Sequence, residues 1–354
     1  MFQLTFENQV FSSLSDFELV SGGFPPYAQA ALDFCKAWLA GQEQFVQHTS
    51  GSTGIPKPIG ISRKQMAASA QATGAFFRAQ SKTHLLCCLN PEYIAGKMML
   101  VRAMVWDCPV ELVEPSANPF EMRNKAPDFI ALVPMQAEAI LRDPHSLALL
   151  KKIKHVIIGG APVSESLKKS LMDHGISAWQ TYGMTETVSH IALAKIQAGH
   201  LEYHTLPDVK IGQDERGALW VLSPMSGPEK IQTNDLIEMK SESLFWWLGR
   251  ADFVINSGGI KLFPELLEQR AEPIIGRLLP GLRFFFFGEK DQKLGERLIL
   301  IVESKLNPQL ESDLLRELGT VLTKFELPKA IYFNPKFIFT PTGKINRQRS
   351  LPNQ

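Results

Sequence analysis

Short apolar runs alternate along the chain with longer segments in which apolar residues recur at helical spacing. The clearest runs have the length of β-strands and cover residues 85–89, 129–133 and 156–158. The third run ends in Gly159 and Gly160, Ser164 stands at a helix N-cap position, and Gly175 closes the helical segment that follows. This order of strand, glycine turn and helix start is typical of a βαβ unit. The pattern predicts an α/β fold with mostly parallel sheets.

The pattern changes after about residue 250. It predicts a helix that begins at Pro264 and a second helix near residues 311–323. Between them, Gly288 and Gly295 indicate a hairpin over residues 282–302, and two short strands follow the second helix. These elements are typical of a compact α+β domain.

The chain length agrees with an unequal division. At roughly 150 residues per domain, 354 residues correspond to a little over two domains. The change of pattern then predicts a large N-terminal domain over residues 1–249 and a small α+β domain over residues 250–354.

Charge and composition exclude several classes of partner. Lys and Arg number 37 and Asp and Glu number 36, so no large excess of either sign is available for nucleic acid or anionic lipid. The first ten residues have no basic residue before an apolar stretch and contain Glu7, which is untypical of a signal peptide. No apolar run approaches the roughly eighteen residues that a membrane span needs. We expect a cytoplasmic protein, and its oligomeric state stays open.

The four cysteines, Cys35, Cys87, Cys88 and Cys108, show neither CxxC spacing nor the pattern of a small secreted protein. We expect buried thiols in a reducing compartment. The adjacent Cys87 and Cys88 lie in an apolar run, where alternate side chains face opposite sides of a strand, so a shared metal ion is not expected.

Hydroxyl residues, glycines and a lysine cluster in residues 48–58, which read HTSGSTGIPKP. Hydroxyls and backbone N–H groups in such a segment can converge on phosphate oxygens while the lysine offsets their charge. The segment is not a Walker A loop, because the spacing from Gly51 would require glycine at the position of Pro56. Taken alone, it could also be a polar surface loop.

Further signatures follow this segment along the chain. They read GGAP at residues 159–162, QTYGMTET at 180–187, WLGRAD at 247–252, NSGG at 256–259 and PTGKINR at 341–347. Together the segments closely resemble the ordered motifs of the acyl-adenylate-forming superfamily, which includes acyl-CoA synthetases, the adenylation domains of peptide synthetases, and luciferases. The resemblance extends from about residue 45 to the C-terminus. It implies a large adenylate-forming domain followed by a small mobile domain.

The resemblance also implies the reaction and its reactants. A carboxylate and ATP form acyl-AMP and pyrophosphate, and a nucleophile then displaces AMP. The expected partners are a small carboxylic acid, ATP, Mg²⁺ and CoA. The ATP phosphates are expected to contact Thr49, Ser50, Gly51, Ser52, Thr53, Gly54 and Lys57. Adenine is expected to lie between Tyr182, with Gly183, and the turn of Gly159, Gly160, Ala161 and Pro162.

Single positions match further tasks in the family. Thr185 is expected to touch the α-phosphate, and Glu186 to offer a hard oxygen ligand to Mg²⁺. Asp235 and Arg250 match the residues that bind the ribose, where a carboxylate can accept hydrogen bonds from two neighbouring hydroxyls. Arg250 and Asp252 could instead form a simple surface ion pair.

The small domain is expected to supply the remaining positions. Lys344 matches the catalytic lysine that stabilises charge on the reacting carboxylate and phosphate. Asp252 matches the hinge about which the small domain turns between the two half-reactions. The route of the CoA thiol is expected to be lined by Ser257, Gly258 and Gly259.

Two segments indicate which acid is activated. Residues 89–104 and 181–190 resemble the o-succinylbenzoate:CoA ligases of the menaquinone pathway, in particular their short bacterial form. This acid has two carboxylates, a ketone and an aromatic ring, so its pocket needs a cation for the carboxylate that is not activated.

Candidate residues for that pocket occur in both segments. Lys97 or Arg102 could supply the cation, with Ser189 or His190 near the ketone. Alternatively, Lys97 and Arg102 could merely face solvent from a helix.

Two other functions stay open. One is an adenylating ligase for another aryl or acyl acid, which could load a carrier protein. The other is a nucleotide-binding module without turnover, which the joint presence of Lys57, Glu186 and Lys344 opposes.

The chain departs from the family in three places. Asn234 stands where glycine usually precedes the ribose-binding aspartate, and Tyr93 lies near a position where relatives often carry histidine. Thr49 also comes early in the chain, so we expect much of the usual N-terminal subdomain to be absent or reduced.

Overall fold

The computed structural model describes residues 1–19, 22–48, 58–305, 308–339 and 345–352, and every structural statement concerns these residues. The helices are α1 (Leu14–Glu18), α2 (Pro26–Leu39), α3 (Arg63–Phe77), α4 (Ile94–Trp106), α5 (Pro134–Arg142), α6 (Pro144–Leu150), α7 (Glu165–Asp173), α8 (Pro264–Leu278) and α9 (Pro308–Leu318). The strands are β1 (Gln3–Phe6), β2 (Gln9–Phe11), β3 (Gln44–His48), β4 (Pro58–Ser62), β5 (Leu85–Cys87), β6 (Pro109–Leu112), β7 (Phe129–Leu132), β8 (His155–Ile158), β9 (Ala178–Gly183), β10 (His190–Lys195), β11 (Glu202–Thr205), β12 (Lys210–Gln213), β13 (Ala218–Leu222), β14 (Ile231–Ser241), β15 (Leu244–Arg250), β16 (Ile255–Ser257), β17 (Ile260–Leu262), β18 (Phe284–Asp291), β19 (Gly295–Glu303) and β20 (Ala330–Asn334).

A mixed sheet runs through the first part of the molecule. Its thirteen described strands have the order β12-β13-β14-β15-β11-β10-β9-β8-β7-β5-β6-β1-β2. The neighbours from β9 to β1 are parallel, whereas β2 and the strands from β10 to β15 pair antiparallel. The predicted α/β class is confirmed, with parallel pairing confined to one half. In the other half, short connections between successive strands favour antiparallel pairs.

Alternate side chains of the parallel strands enter two separate cores. Leu85 and Cys87 belong to the core that includes α2, α3 and α4, whereas Leu86 and Cys88 belong to the core that includes α5 and α7. Burial on both faces explains why these strands are continuous apolar runs in the sequence. All four cysteines are buried and free, as predicted, and burial raises the pKa of the Cys87 thiol to about 12.

Local signals determine where several helices begin. The Ser164 hydroxyl accepts a hydrogen bond from the Leu167 N–H at 3.1 Å, so it caps α7 as predicted. Gly175, with φ of +70°, follows the end of this helix. Pro264 is the first residue of α8, also as predicted. None of the described helices combines the length and the apolar character needed to cross a membrane.

The last part of the chain contains a second sheet of five described strands, β16 to β20, with α8 and α9 contributing to its core. The predicted hairpin is confirmed as β18 and β19. Of the two glycines that indicated it, Gly295 directly follows the turn, whereas Gly288 lies within a strand. Gly288 pairs with Leu298 inside β18, and a Cβ at this position would lie 3.2 Å from the Ile255 side chain. This glycine therefore permits close packing, and the turn lies at residues 292–294.

Two smaller differences concern the end of the chain. Helix α9 ends at Leu318 and not near residue 323. Of the two predicted final strands, one is β20 and the other is a single bridge between Phe339 and Ile345.

The two sheets have separate cores, and the chain passes from one to the other between Arg250 and Ile255. The division into residues 1–249 and 250–354 nevertheless stays a prediction. The two parts touch where Ser166 of α7 donates hydrogen bonds to the Glu272 carboxylate of α8, at 3.1 Å from its N–H and 2.8 Å from its hydroxyl.

Candidate active site

The turn after β8 and the end of β9 lie side by side, at the carboxyl edge of the parallel strands. Ile158 and Gln180 are register partners, so the chain after them brings Gly159 beside Thr181. A Cβ on Gly159 would lie 2.2 Å from the Thr181 hydroxyl oxygen, and Gly160 has φ of +81°. Both positions therefore favour glycine for packing and turn geometry, quite apart from the predicted contact with adenine.

The Gln180 side chain stabilises this turn through hydrogen bonds, a role that was not predicted from the sequence. Its side chain accepts a hydrogen bond from the Val163 N–H at 3.1 Å and donates one to the Tyr203 hydroxyl at 2.6 Å. A glutamine in a strand between buried neighbours was the signal that could have revealed it, because buried amide groups need hydrogen-bond partners.

Tyr182, Asp235 and Arg250 form one cluster. The Tyr182 hydroxyl donates a hydrogen bond of 2.7 Å to Oδ2 of Asp235, and Oδ1 of Asp235 lies 3.6 Å from Nε of Arg250. Asp235 and Arg250 are register partners in β14 and β15. Burial and the charge of Asp235 raise the pKa of Tyr182 well above its usual value, so its hydroxyl remains a donor at neutral pH. Three residues predicted to bind nucleotide are thus brought together.

Asp252 joins this cluster from the far side of Arg250. Its Oδ2 lies 3.2 Å from Nη2 of Arg250, and its Oδ1 accepts a hydrogen bond of 3.4 Å from the Asn234 amide. The ion pair that was considered as a simpler alternative is therefore present. Asn234, one of the expected departures from the family pattern, supports the same carboxylate. Rotation about the predicted hinge would have to break or re-form these contacts.

Thr185 and Glu186 lie on a 3₁₀ turn that follows β9. The buried Thr187 hydroxyl holds this turn, because it accepts from the Met184 N–H at 3.1 Å and lies 2.8 Å from the Ser189 carbonyl oxygen. A Cβ on Gly183 would lie 2.3 Å from that same carbonyl oxygen, so the close return of the chain favours glycine here.

Glu186 is exposed, and no ion pair or hydrogen bond engages its carboxylate within the described part of the chain. That part also contains no group of three or more His, Cys, Asp or Glu that could hold a metal ion. Mg²⁺ commonly keeps several waters and binds through one or two carboxylates plus substrate phosphates. A single free carboxylate at this turn fits the predicted Mg²⁺ ligand.

Arg102 lies in α4 and is 2% exposed, which excludes the alternative that it faces solvent. Its Nη2 donates a hydrogen bond of 3.2 Å to the Ser189 hydroxyl, and its Nη1 lies 3.5 Å from the Met99 sulfur. The buried Nε has no partner among the described residues. Burial lowers the pKa of Arg102 to about 10, so the guanidinium is charged at neutral pH.

The other predicted substrate residues divide into two groups. Ser189 and His190 lie beside Arg102, with 3.3 Å between the Ser189 hydroxyl oxygen and Nδ1 of His190. Nε2 of His190 lies 3.1 Å from the Thr73 hydroxyl oxygen, so both ring nitrogens already have partners. Lys97 instead donates a hydrogen bond of 2.9 Å to the Gln47 side chain, and burial lowers its pKa.

Gly258 and Gly259 form the two-residue turn between β16 and β17, directly after Ser257. Their φ angles are +58° and +84°. A hairpin turn with positive φ at both central positions favours glycine, so the turn accounts for both residues. The passage of CoA beside them stays a prediction.

Two parts of the predicted site lie outside the described residues. They are Lys344 and the phosphate-binding set of Thr49, Ser50, Gly51, Ser52, Thr53, Gly54 and Lys57. Described residues pair on either side of each part: His48 with Pro58, and Phe339 with Ile345.

Arg347, three residues after Lys344, is held by contacts that were not predicted. Its Nη2 donates a hydrogen bond of 2.8 Å to Glu268 of α8, and its Nη1 donates one of 3.3 Å to the Phe286 carbonyl oxygen. Its guanidinium also lies 4.6 Å from the centre of the Phe253 ring. Arg347 therefore links the segment after Lys344 to α8 and to the region of the predicted hinge.

Comparisons with known proteins agree with the motifs. The AMP-binding enzyme family matches residues 35–213. A 2-succinylbenzoate–CoA ligase from Enterococcus faecalis is 25% identical over 344 residues, which cover 87% of this chain and 69% of that protein. The crystal structure of an acyl-CoA synthetase (AMP-forming)/AMP-acid ligase II-like protein from Dyadobacter fermentans is 40% identical, with 96% of this chain and 97% of that chain covered and a TM-score of 0.65.

A further similar structure is the o-succinylbenzoate CoA synthetase from Bacillus subtilis in complex with the acyl-adenylate intermediate. It is 20% identical, with 87% of this chain and 69% of that chain covered and a TM-score of 0.69, and this likeness concerns the fold. The family match covers half of the sequence, and the Dyadobacter protein matches almost end to end. The resemblance to acyl-adenylate-forming enzymes is thereby confirmed, and the chain belongs to the AMP-binding enzyme family.

Proposed function

We propose that the protein is an AMP-forming acid:CoA ligase that converts o-succinylbenzoate to o-succinylbenzoyl-CoA, a step of menaquinone biosynthesis. Family membership supports the reaction class. The similarity to a ligase that is named for 2-succinylbenzoate supports the acid. The structural observation that carries the choice of acid is the buried guanidinium of Arg102.

A guanidinium has five N–H donors, and for Arg102 the described residues supply one hydroxyl and one thioether as acceptors. No carboxylate among them pairs with it. A buried charge without a partner is costly, so an anion from outside the chain would stabilise this site. The carboxylate of o-succinylbenzoate that is not activated is such an anion. Lys97 is the weaker candidate, because its ammonium group already binds Gln47.

The remaining residues have complementary tasks in the proposal. Asp235 accepts hydrogen bonds from the ribose hydroxyls, with Tyr182 and Arg250 holding its carboxylate. Glu186 would bind Mg²⁺, which neutralises phosphate charge when it is present. Lys344 stabilises the negative charge that develops as the acid attacks ATP.

Each half-reaction forms one bond and breaks another. A carboxylate oxygen forms a bond to the α-phosphorus of ATP, and pyrophosphate leaves with the electrons of the broken P–O bond. The CoA thiol then releases its proton to solvent, its sulfur bonds to the acyl carbon, and AMP leaves with the electrons of the broken bond between the acyl carbon and the phosphate oxygen. We propose that Asp252 is the hinge between these steps and that residues 250–354 form the mobile domain. We further propose that Ser257, Gly258 and Gly259 line the route of the thiol.

Incubation with ATP, Mg²⁺, CoA and a panel of acids tests the proposal. The panel contains o-succinylbenzoate and two monocarboxylic analogues, one without the ring carboxylate and one without the chain carboxylate. Pyrophosphate release and CoA thioester are measured for each acid. We expect both products with o-succinylbenzoate and a lower kcat/KM with either analogue.

Two variants of similar size assign the cation. Arg102→Met should lower kcat/KM for o-succinylbenzoate by about 30-fold or more, since loss of one member of a buried charge pair costs at least about 2 kcal/mol. Lys97→Met should have a much smaller effect. Thioester with other aryl acids but none with o-succinylbenzoate would contradict the choice of acid. The absence of pyrophosphate release with every acid of the panel would point to a nucleotide-binding module without turnover.

A further inference from the structure

We infer that His190 and Thr73 are positioning residues of the acid pocket, where they order a chain of hydrogen bonds that orients Ser189 and, through it, the Arg102 guanidinium. This inference rests on the proposed function, because it concerns the cation that receives the second carboxylate. It gives His190 a role other than the predicted contact with the ketone.

The donor and acceptor order in this chain of hydrogen bonds follows from one carbonyl group. The Thr73 hydroxyl lies 2.9 Å from the Ser69 carbonyl oxygen, one turn earlier in α3. A carbonyl oxygen can only accept, so the single hydroxyl proton of Thr73 is directed at Ser69. The second contact of this hydroxyl, 3.1 Å from Nε2 of His190, must then be one in which Thr73 accepts. Nε2 of His190 therefore carries a proton.

The proton on Nε2 determines the hydrogen-bonding role of Nδ1, the other ring nitrogen. In a neutral imidazole with a protonated Nε2, Nδ1 is an acceptor. The Ser189 hydroxyl, 3.3 Å from Nδ1, is consequently the donor in that contact. With its proton used there, the Ser189 oxygen is left to accept the N–H of Arg102 at 3.2 Å. Each proton in this chain of hydrogen bonds therefore has a single position.

The surroundings keep His190 neutral. It is 5% exposed, and the charged group that acts on it is Arg102. Burial and this neighbouring positive charge both lower the pKa of His190 well below its usual value. A second proton on the ring would turn Nδ1 into a donor and remove the acceptor that orients Ser189. The neutral ring is therefore the form that supports Arg102.

The backbone also holds Ser189 in place. Val188, the residue before it, is buried and has φ of +65°, a strained conformation for a β-branched residue. Thr73, Arg102 and His190 come from α3, α4 and β10 respectively. Contacts supplied by two helices and a strand restrict the guanidinium to one orientation, which in the proposal is the orientation that receives the second carboxylate. Such preorganisation improves the selection of a dicarboxylic acid over a monocarboxylic one.

The test measures selectivity, defined as kcat/KM for o-succinylbenzoate divided by kcat/KM for the monocarboxylic analogue that still gives thioester. Thr73→Val retains the side-chain shape without the hydroxyl and should lower selectivity about fivefold. His190→Phe should lower it about tenfold, since both links of the ring are lost. His190→Asn, whose carbonyl oxygen can replace Nδ1 as the acceptor for Ser189, should recover part of the loss.

The matched control is Ser69→Ala, at another buried position of the same helix. It removes a hydroxyl that has no partner among the described residues and keeps the carbonyl that accepts from Thr73. Its selectivity and its KM for ATP should equal those of the wild type. A purely structural role of Thr73 or His190 would instead lower turnover of both acids in equal proportion and leave selectivity unchanged, which would overturn the inference.

Outcomes separate the inference from the proposed function. Loss of selectivity in Arg102→Met with unchanged selectivity in Thr73→Val and His190→Phe would overturn only the inference. A wild type that does not favour o-succinylbenzoate over the monocarboxylic analogue would overturn both. ¹⁵N NMR of the imidazole gives a readout that needs no activity: the resonance lost in His190→Phe should show a proton on Nε2 and none on Nδ1. A proton on Nδ1 and none on Nε2 would overturn the inferred order of donors and acceptors.

Discussion

Tyr182 and Asp235 are 53 positions apart in the sequence, and the tyrosine hydroxyl donates a hydrogen bond of 2.7 Å to the aspartate. Asp235 is the proposed acceptor for the ribose hydroxyls. Tyr182 therefore has a second task besides the proposed stacking on adenine, because its hydroxyl occupies one oxygen of Asp235 and fixes the direction of the carboxylate.

Tyr182→Phe keeps the ring and removes this hydrogen bond. We expect KM for ATP to rise about fivefold, the equivalent of one hydrogen bond of about 1 kcal/mol, while KM for the acid stays unchanged. Steady-state kinetics with each substrate varied in turn measure this. Tyr27→Phe is the control, since Tyr27 packs on Phe6 in another part of the core. Equal increases in both KM values would contradict a task specific to the nucleotide.

Lys344→Ala tests the proposed catalytic lysine. We expect the variant to fold normally and to make thioester from presynthesised acyl-adenylate, because the second half-reaction does not need this charge. Adenylate formation from ATP should fall by orders of magnitude, about 100-fold or more for an electrostatic group of the transition state. Pyrophosphate release and thioester formation are assayed separately. Unchanged turnover with ATP would refute the role.

Asp252→Pro tests the proposed hinge. Proline fixes φ near −65°, so rotation at this position should be blocked, and thioester formation should fall more than adenylate formation. Asp252→Ala is the matched control, because it also removes the ion pair with Arg250 but leaves the backbone free to turn. Equal losses of the two half-reactions in the proline variant would count against the hinge.

Glu268 predicts a pH dependence of stability. Burial raises the pKa of Glu268 to about 7, although the Arg347 guanidinium acts in the opposite direction. Between the ordinary glutamate pKa and this raised value, the folded protein binds a proton that the unfolded chain does not. The free energy of unfolding should therefore decrease as pH rises through this interval, by on the order of 3 kcal/mol in total.

Urea unfolding at pH values on either side of this interval measures the effect. Glu268→Gln cannot titrate at this position and should lose that part of the pH dependence, while keeping a polar partner for Arg347. Glu326→Gln serves as the control, since Glu326 pairs with Arg270 and the pKa of Glu326 is lowered. Identical pH profiles for the wild type and Glu268→Gln would contradict the prediction.

Much of the fold could be predicted from the sequence because its signals are local. The continuous apolar runs, the Ser164 cap and Pro264 at the start of α8 each depend on a few neighbouring residues. The structural role of Gly288 could not be predicted in this way. A glycine that permits a turn and a glycine that permits close packing are identical in sequence, and only the contact with Ile255 distinguishes them.

The sequence by itself determined the α/β class, the order of motifs and therefore the family and its chemistry. Tertiary structure decided which side chains act together. Arg102 and Lys97 looked equivalent as cations on one segment, but only Arg102 is buried against Ser189, 87 positions away. His190 meets Thr73 across 117 positions. Periodicity shows which residues an element buries, whereas partners from distant elements depend on strand register and helix packing across the whole domain.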